Sequence, residues 1–286
     1  MSDYRVIPRD RRDILGEGPL WSARDGALYW VDIKGKRINR LTLATESVAS
    51  FETSEIITWL IERETKPGYL AGGERGVSFL FLDPFSIRTT AAPEAHLPAN
   101  RMNDAKADRY GRVFAGTMHR DCAGQEGSFY RIDPDLSVAR LDSGYGVANG
   151  PTFNLAQTKI YHTDSNARTI YAFDLAPDGK ISHKHTFVTF PPEWGHPDGM
   201  TTDAEDCVWV AHWDGGRISR FRPDGTLDRG ISLPASRITS LAFAGETLDR
   251  LFVTSASEGV EDEPLAGALF ELNVGVCGLP PGRFNG

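Results

Sequence analysis

The chain has 286 residues and carries 39 acidic side chains against 31 Lys and Arg, which gives a net charge of −8 at pH 7. An acidic chain repels phosphate backbones, so this balance argues against nucleic acid as a partner. No apolar run approaches the roughly 18 residues of a membrane span, and the first residues lack the apolar core of a signal peptide. We therefore expect a cytoplasmic protein without a membrane or nucleic-acid partner.

One strand-like pattern recurs six times, after a first strand-like run at Tyr4-Arg5-Val6-Ile7. Each copy is a strand of about six residues with an aromatic residue or Leu near its middle. The central residues are, in chain order, Tyr29, Leu70, Phe114, Tyr161, Trp209 and Phe252. Successive centres lie 41 to 48 residues apart, and turn sequences such as Pro177-Asp178-Gly179 separate the strands.

A period of about 40 to 50 residues that holds four short strands is typical of propeller blades. The repeats therefore predict an all-β protein: a six-bladed β-propeller with four-stranded blades around a central metal-holding channel, as a single domain over residues 1–286. An irregular β-sandwich is the alternative, but a sandwich gives no reason for six copies. We expect the first run, residues 4–7, to complete the last blade and close the ring.

Four polar residues occupy one phase of the repeat, eleven or twelve residues before the central residue. They are Glu17, Asn103, Asn149 and Asp198. Equivalent positions in a propeller are related by rotation about its axis, so these side chains should converge at one end of the channel. In the other two blades the same phase falls near Thr58 or Trp59 and near Thr239 or Ser240.

Two carboxylates and two amides supply only oxygen ligands, which suit a hard divalent cation such as Ca²⁺, Mg²⁺ or Mn²⁺. Zn²⁺ or Fe²⁺ remains an alternative, although His or Cys usually accompanies them. Asn-Gly and Asp-Gly are also common turn dipeptides, so any one of these residues alone indicates a turn. Four of them at a single repeat phase favour one divalent metal ion.

These residues lie in motifs that resemble the SMP-30/gluconolactonase/luciferin-regenerating-enzyme family, which includes regucalcin-like proteins. The motifs, in family order, are Leu15-Gly16-Glu17-Gly18-Pro19, Arg101-Met102-Asn103-Asp104, Phe114-Ala115-Gly116-Thr117-Met118, Ala148-Asn149-Gly150-Pro151, Tyr161-His162-Thr163-Asp164-Ser165, Pro197-Asp198-Gly199-Met200 and Ala266-Gly267-Ala268-Leu269-Phe270. Each motif alone is weak, whereas the ordered set spans nearly the whole chain.

The resemblance implies a set of roles for the residues of the polar ring. It implies Glu17, Asn149 and Asp198 as metal ligands, with Asp198 also the catalytic acid/base. It implies that Arg101 and Asn103 contact the substrate. The family often carries a substrate-binding Glu after the motif that ends at Met118, whereas this chain has His119-Arg120-Asp121 there. Asp121 is therefore the candidate for binding substrate hydroxyls, with a shorter reach.

The expected activity is metal-dependent hydrolysis of a sugar-acid lactone, such as glucono-, xylono- or arabinonolactone, to the open acid by a monomer. A divalent cation polarises the carbonyl, and Asp198 moves the proton of the attacking water. Two alternatives use the same site: hydrolysis of another ester or a phosphotriester, and divalent-ion binding without turnover. A protein-docking propeller is a third.

Other hydrolytic chemistries lack support in the sequence. There is no Gly-x-Ser-x-Gly elbow. Cys122 lies near the substrate loop, but no His-Asp arrangement accompanies it to activate a thiol. We expect His162 and Asp164 to be buried structural residues, and Asp104 to bond loop backbone.

Overall fold

The chain folds into six four-stranded antiparallel sheets, as seen in a computed structural model that describes residues 4–286. The first three blades run from β2 to β13: Gly16–Ser22, Ala27–Asp32, Arg37–Thr42 and Ser47–Glu52; Ile57–Glu62, Tyr69–Gly73, Gly76–Leu82 and Phe85–Ala91; Asn100–Ala107, Val113–His119, Gly127–Ile132 and Val138–Tyr145. The first strands of neighbouring blades contact one another, so they line a central channel.

The remaining strands, β14 to β24, form blades 4, 5 and most of blade 6: Ala148–Phe153, Lys159–Asp164, Thr169–Leu175 and Ile181–Thr189; His196–Thr202, Val208–Trp213, Arg217–Phe221 and Leu227–Ser232; Ile238–Ala244, Arg250–Ser255 and Phe270–Leu272. Within residues 4–286 the one helical element is the 3-10 turn Pro192–Trp194. No described helix has the length and apolar character needed to cross a membrane.

The sixth blade is completed from the other end of the chain. The strand β1, Tyr4–Val6, pairs antiparallel with β24, with Tyr4 opposite Leu272. The backbone N–H of Ile7 then donates to the carbonyl of Leu269 at 2.9 Å. The prediction of a six-bladed propeller is confirmed, and the first strand-like run closes the ring as expected.

The apolar core lies between the blades. In the described part of the chain, six clusters of buried apolar side chains each join two neighbouring blades. The central aromatic residues of the repeat take part because the second strand of each blade is covered on both faces. Trp30, Trp59 and Trp209 are the largest fully buried side chains. Each large apolar side chain buried in this way contributes about 1.5–3 kcal/mol.

The last residues cross the end of the channel at which the first strands finish. We call residues 277–286 the C-terminal strap. Gly278 forms an isolated bridge with Asp203, just after β18, and Phe284 forms one with Arg63, just after β6. The Phe284 side chain is fully buried and lies 6.4 Å from Phe79 between ring centroids. The strap therefore ties blades 2 and 5 across one mouth of the channel.

Candidate metal and substrate site

All six channel-lining strands carry a register shift at the same level, near their amino ends. The shifts lie between Glu17 and Leu20, Ile57 and Trp59, Met102 and Ala105, Asn149 and Thr152, Pro197 and Met200, and Ile238 and Ser240. A β-bulge turns a side chain away from the regular alternation of its strand. The ring residues predicted from the repeat lie in four of these bulges.

Glycine makes two of the bulges possible. Gly18 and Gly150 have φ angles of +53° and +43°, a region that side chains rarely adopt. A Cβ on Gly150 would also lie 2.4 Å from the backbone oxygen of Asp198. Blades 4 and 5 therefore approach each other closely beside Asn149.

Three of the ring residues are brought into one buried cluster. Glu17, Asn149 and Asp198 are 9%, 5% and 5% exposed. The Asn149 amide nitrogen donates to Asp198 Oδ1, and it also lies 3.3 Å from the Ser165 hydroxyl. Glu17 accepts the N–H of Gly18 at 2.9 Å. The two carboxylates of the cluster therefore accept few hydrogen bonds from the protein.

The electrostatics of the cluster favour a cation. Burial, followed by the charges of Asp198 and Asp104, raises the pKa of Glu17 well above its usual value. Burial and the Asp104 charge likewise raise the pKa of Asp198. Buried like charges disfavour ionisation, and a bound cation reverses that balance.

The donor set fits a hard divalent cation if the amide takes part. Within residues 4–286 no three His, Cys, Asp or Glu side chains are grouped closely enough to hold an ion by themselves. An ion beside Glu17 and Asp198 would therefore need the side-chain oxygen of Asn149 as well. Carboxylate and amide oxygens are the ligands that Ca²⁺, Mg²⁺ and Mn²⁺ prefer.

Arg101 and Asn103 lie beside this cluster on β10. Arg101 donates from one guanidinium nitrogen to Asn103 Oδ1 and to the carbonyl of Met102, both at 2.8 Å. Asn103 donates to the carbonyl of Ala148 at 3.1 Å, which links blades 3 and 4. Burial lowers the pKa of Arg101, while the charges of Glu17 and Asp198 act in the opposite direction. Arg101 is thus a desolvated cation next to the carboxylates.

Asp121 is exposed, on the loop after β11. Its backbone N–H faces His119 Nδ1 at 3.2 Å. The neighbouring Arg120 is engaged by Glu74 at 2.5 Å and by the carbonyl of Pro98. A cavity of about 400 Å³ borders Arg101, and its polar lining is contributed by Glu74, Arg75, Glu94, Asn100, Arg101, Thr117 and Arg120.

Two buried residues of β10, Asp104 and Asn100, each have a side-chain oxygen without a hydrogen-bond partner in the described chain. Asp104 does bond backbone, since one carboxylate oxygen accepts the N–H of Ala105 at 2.7 Å. Its other oxygen is buried without a hydrogen-bond partner in the described chain. Asn100 Oδ1 is likewise buried and unpartnered there. The repeat phase could not identify either residue, because neither lies at the ring position itself.

His162 and Asp164 are both buried on β15, as expected. The His162 ring stacks on Phe129 with a centroid distance of 3.8 Å. Asp164 accepts the backbone N–H groups of Gly146 and Val147 at 3.2 and 3.3 Å. Both side chains therefore stabilise the contact between blades 3 and 4.

The fold and the site define a class of protein: a six-bladed β-propeller with an acidic, oxygen-rich cluster buried at one end of its channel. The chain matches the SMP-30/Gluconolactonase/LRE-like region over residues 15–257. It therefore belongs to the SMP-30/gluconolactonase/luciferin-regenerating-enzyme family, as the sequence motifs indicated.

Similar proteins match along their full length. The pentonolactonase XacC of Haloferax volcanii is 38% identical, over 99% of this chain and 98% of that protein. Regucalcin of Danio rerio is 35% identical, over the whole of both chains. Among solved structures, a calcium-binding regucalcin from Agrobacterium tumefaciens is 26% identical, with a TM-score of 0.93 over 99% of this chain and 97% of that one.

Proposed function

We propose that this protein is a lactonase that hydrolyses the cyclic ester of a sugar acid with the help of one divalent cation. The observation that carries the proposal is the buried cluster of Glu17, Asn149 and Asp198, whose carboxylates repel each other without a cation. A scaffold used only for docking has no need of buried like charges. The similarity to a pentonolactonase favours the lactone of a five-carbon acid, such as xylono- or arabinonolactone, over gluconolactone.

Glu17, Asn149 and Asp198 would hold the cation, whether Ca²⁺, Mg²⁺, Mn²⁺, Zn²⁺ or Fe²⁺. When bound, such an ion polarises the lactone carbonyl and stabilises negative charge on its oxygen. In the present arrangement the Asn149 amide nitrogen faces Asp198. A half-turn of the amide about its last side-chain bond would present the oxygen instead, in exchange for the bond that this oxygen accepts from the Gly150 N–H at 2.9 Å.

Asp198 would act as the acid/base. It removes the proton from the attacking water and returns it to the ring oxygen that leaves, so that proton transfer balances over the reaction. Its buried position keeps bulk water from competing for the carboxylate.

Arg101 and Asn103 would orient the substrate. Arg101 presents a guanidinium whose remaining N–H groups can donate to the lactone, and charge-assisted bonds of this kind are strong. Asn103 fixes the guanidinium at 2.8 Å. Asp121 would bind a hydroxyl group of the sugar from the exposed loop after β11.

The test is proton release from freshly prepared sugar lactones by metal-stripped protein, with and without each of the five cations. Acceleration over the spontaneous rate that requires a cation supports the proposal and ranks substrates and ions. Asp198→Ala and Asn149→Ala should abolish it while circular dichroism shows a folded propeller. Full activity in either variant overturns the assignment of the site.

The same experiment separates the alternative functions. Tight cation binding without turnover of any lactone would instead favour a divalent-ion-binding regulatory protein. Faster turnover of aryl esters or phosphotriesters than of lactones would favour a different hydrolase on the same site. Calcium is the first ion to add, because a solved relative is described as calcium-binding.

A further inference from the structure

A second polar feature lies in the channel beyond the metal cluster. A cavity of about 100 Å³ extends from Asp104 toward the C-terminal strap, whose residues Leu279 and Pro280 form part of its wall. A water molecule occupies about 30 Å³ in the liquid, so the space suits a few waters rather than a sugar. The cavity is lined by apolar side chains and by a few polar groups.

Asp104 is one of the residues that line this cavity. The residue is 5% exposed, and its Oδ2 atom has no hydrogen-bond partner within residues 4–286. A buried carboxylate oxygen without a donor is costly, because folding removes the water that solvated it. The backbone N–H of Gly150 offsets part of this cost, since it lowers the pKa of Asp104.

Lys106 is the cation that lines the same cavity. Asp104 lies in the bulge of β10 that follows Met102, Lys106 lies two residues further along the strand, and both residues line the cavity. Asp104 Oδ2 has no hydrogen-bond partner within residues 4–286, so it is not bonded directly to the Lys106 ammonium group. The Lys106 charge nevertheless lowers the pKa of Asp104, against the effect of burial.

The cavity offers polar groups for bridging waters. The hydroxyls of Thr152 and Thr202 lie 3.1 Å apart, and both residues line it. Waters held by these hydroxyls and by the Lys106 ammonium would reach Asp104 Oδ2, and such bridges are nearly as favourable as direct hydrogen bonds.

We propose that Lys106 is a positioning residue: through waters in the lower channel it acts as the fixed counter-charge of Asp104 and sets the net charge that the metal cluster presents to a cation. When a cation is bound and their carboxylates are ionised, Glu17, Asp104 and Asp198 carry three negative charges, and Arg101 and Lys106 carry two positive ones. These five side chains and a divalent ion together therefore have one net positive charge.

This balance has a functional consequence, which rests on the proposed lactonase activity. The single surplus positive charge matches the negative charge that develops on the lactone oxygen during hydrolysis. Without Lys106 the surplus disappears. The ion would then bind more tightly, yet the channel would stabilise the developing charge less.

The test is cation affinity, measured by calorimetry with Ca²⁺ on metal-stripped protein. Lys106→Met should lower the Kd about tenfold, and Asp104→Asn should raise it by about the same factor, as expected when one unit charge is removed near a divalent ion. The double variant should return toward the wild-type Kd. Lys106→Arg should keep the wild-type value, since it retains the charge.

A matched control is Lys180→Met, which removes the same charge from an exposed turn where Lys180 pairs with Asp178. Its Kd should stay within twofold of wild type. An unchanged or higher Kd for Ca²⁺ in Lys106→Met overturns the proposal. This result decides the question even if Asp104→Asn fails to fold. If the Kd values shift as expected but the protein hydrolyses no lactone, the role of Lys106 as a counter-charge stands and only the proposed function is rejected.

Discussion

The side-chain amide of Asn149 donates to the carboxylate of Asp198 from one blade to the next, across 49 residues of sequence. The contact joins two of the predicted metal ligands directly. It offsets part of the cost of burying the Asp198 charge when no cation is present, because a charge-assisted hydrogen bond partly replaces lost solvation. The same two residues are therefore poised to exchange this bond for a shared ion.

The metal-free protein should become more stable when Asp198 is replaced by Asn. The substitution removes a buried charge, and burial and Asp104 already disfavour that charge. We expect the melting temperature of stripped Asp198→Asn to exceed that of stripped wild type by roughly 2 °C or more. Adding Ca²⁺ should raise the melting temperature of the wild type but not of the variant. An equal response to Ca²⁺ in both proteins would show that Asp198 is not a ligand.

A methyl group on Gly150 should damage the cluster more than ordinary backbone strain does. Gly150→Ala forces a side chain into a positive φ and places its Cβ 2.4 Å from the Asp198 backbone oxygen. We expect a loss of several degrees in melting temperature and at least a tenfold weaker Kd for Ca²⁺, measured by calorimetry.

The control for this substitution is Gly26→Ala. Gly26 has a φ of +58° but no heavy atom within 4 Å of the added Cβ. The Gly26→Ala variant therefore reports the backbone strain alone, which costs about 1–2 kcal/mol. Its affinity for Ca²⁺ should equal that of wild type. Equal Ca²⁺ affinity in both variants would contradict the idea that the close approach at Gly150 shapes the site.

The blades and the ring were predictable because both follow the repeat. The six predicted central residues all lie on the second strand of a blade, and Glu17, Asn149 and Asp198 meet because each lies in a bulge at the same level. Rotational symmetry converts a sequence phase into a position in space. No knowledge of side-chain packing was needed for that step.

The rest of the site depends on contacts that have no period. Whether Asp104 finds a donor depends on which atoms of other blades surround it, and the structure leaves one oxygen without a partner. The C-terminal strap follows the last blade strand and carries no repeat pattern. Asp121 lies on an exposed loop, where neither strand register nor burial fixes a side-chain position.

Closure of the ring by β1 should contribute strongly to stability. Deleting residues 1–8 removes the three residue pairs between β1 and β24 and the buried Ile7, which is 2% exposed. Loss of this apolar burial alone costs about 2 kcal/mol, and an open sixth blade exposes the edge of β24. We expect the melting temperature to fall sharply in differential scanning calorimetry.

The control for the deletion is Arg5→Gln. Arg5 pairs with Glu46 and Glu271 at the surface, where ion pairs contribute little, so this variant should melt within about 2 °C of wild type. A deletion variant that melts with the wild type would mean that the ring needs no fourth strand in its last blade.

Two buried histidines should make the protein less stable in acid. Burial lowers the pKa of His162 to about 3, and it does the same for His212, where a hydrogen bond to the carbonyl of Trp194 opposes the shift. In the unfolded chain both groups titrate near pH 6.5. Between pH 6.5 and 3 the unfolded state therefore binds protons that the folded state does not, so stability is full above pH 6.5 and falls as the pH drops.

Each histidine should contribute up to about 1.4 kcal/mol per pH unit to this fall. His162→Phe keeps an aromatic ring stacked on Phe129 but cannot be protonated. Between pH 7.5 and 5 its free energy of unfolding, measured with urea, should fall by about 2 kcal/mol less than that of wild type. The control is His183→Gln, an exposed side chain beside Asp174, which should follow the wild-type curve. Parallel curves for wild type and His162→Phe would mean that His162 accepts a proton in the folded protein without penalty.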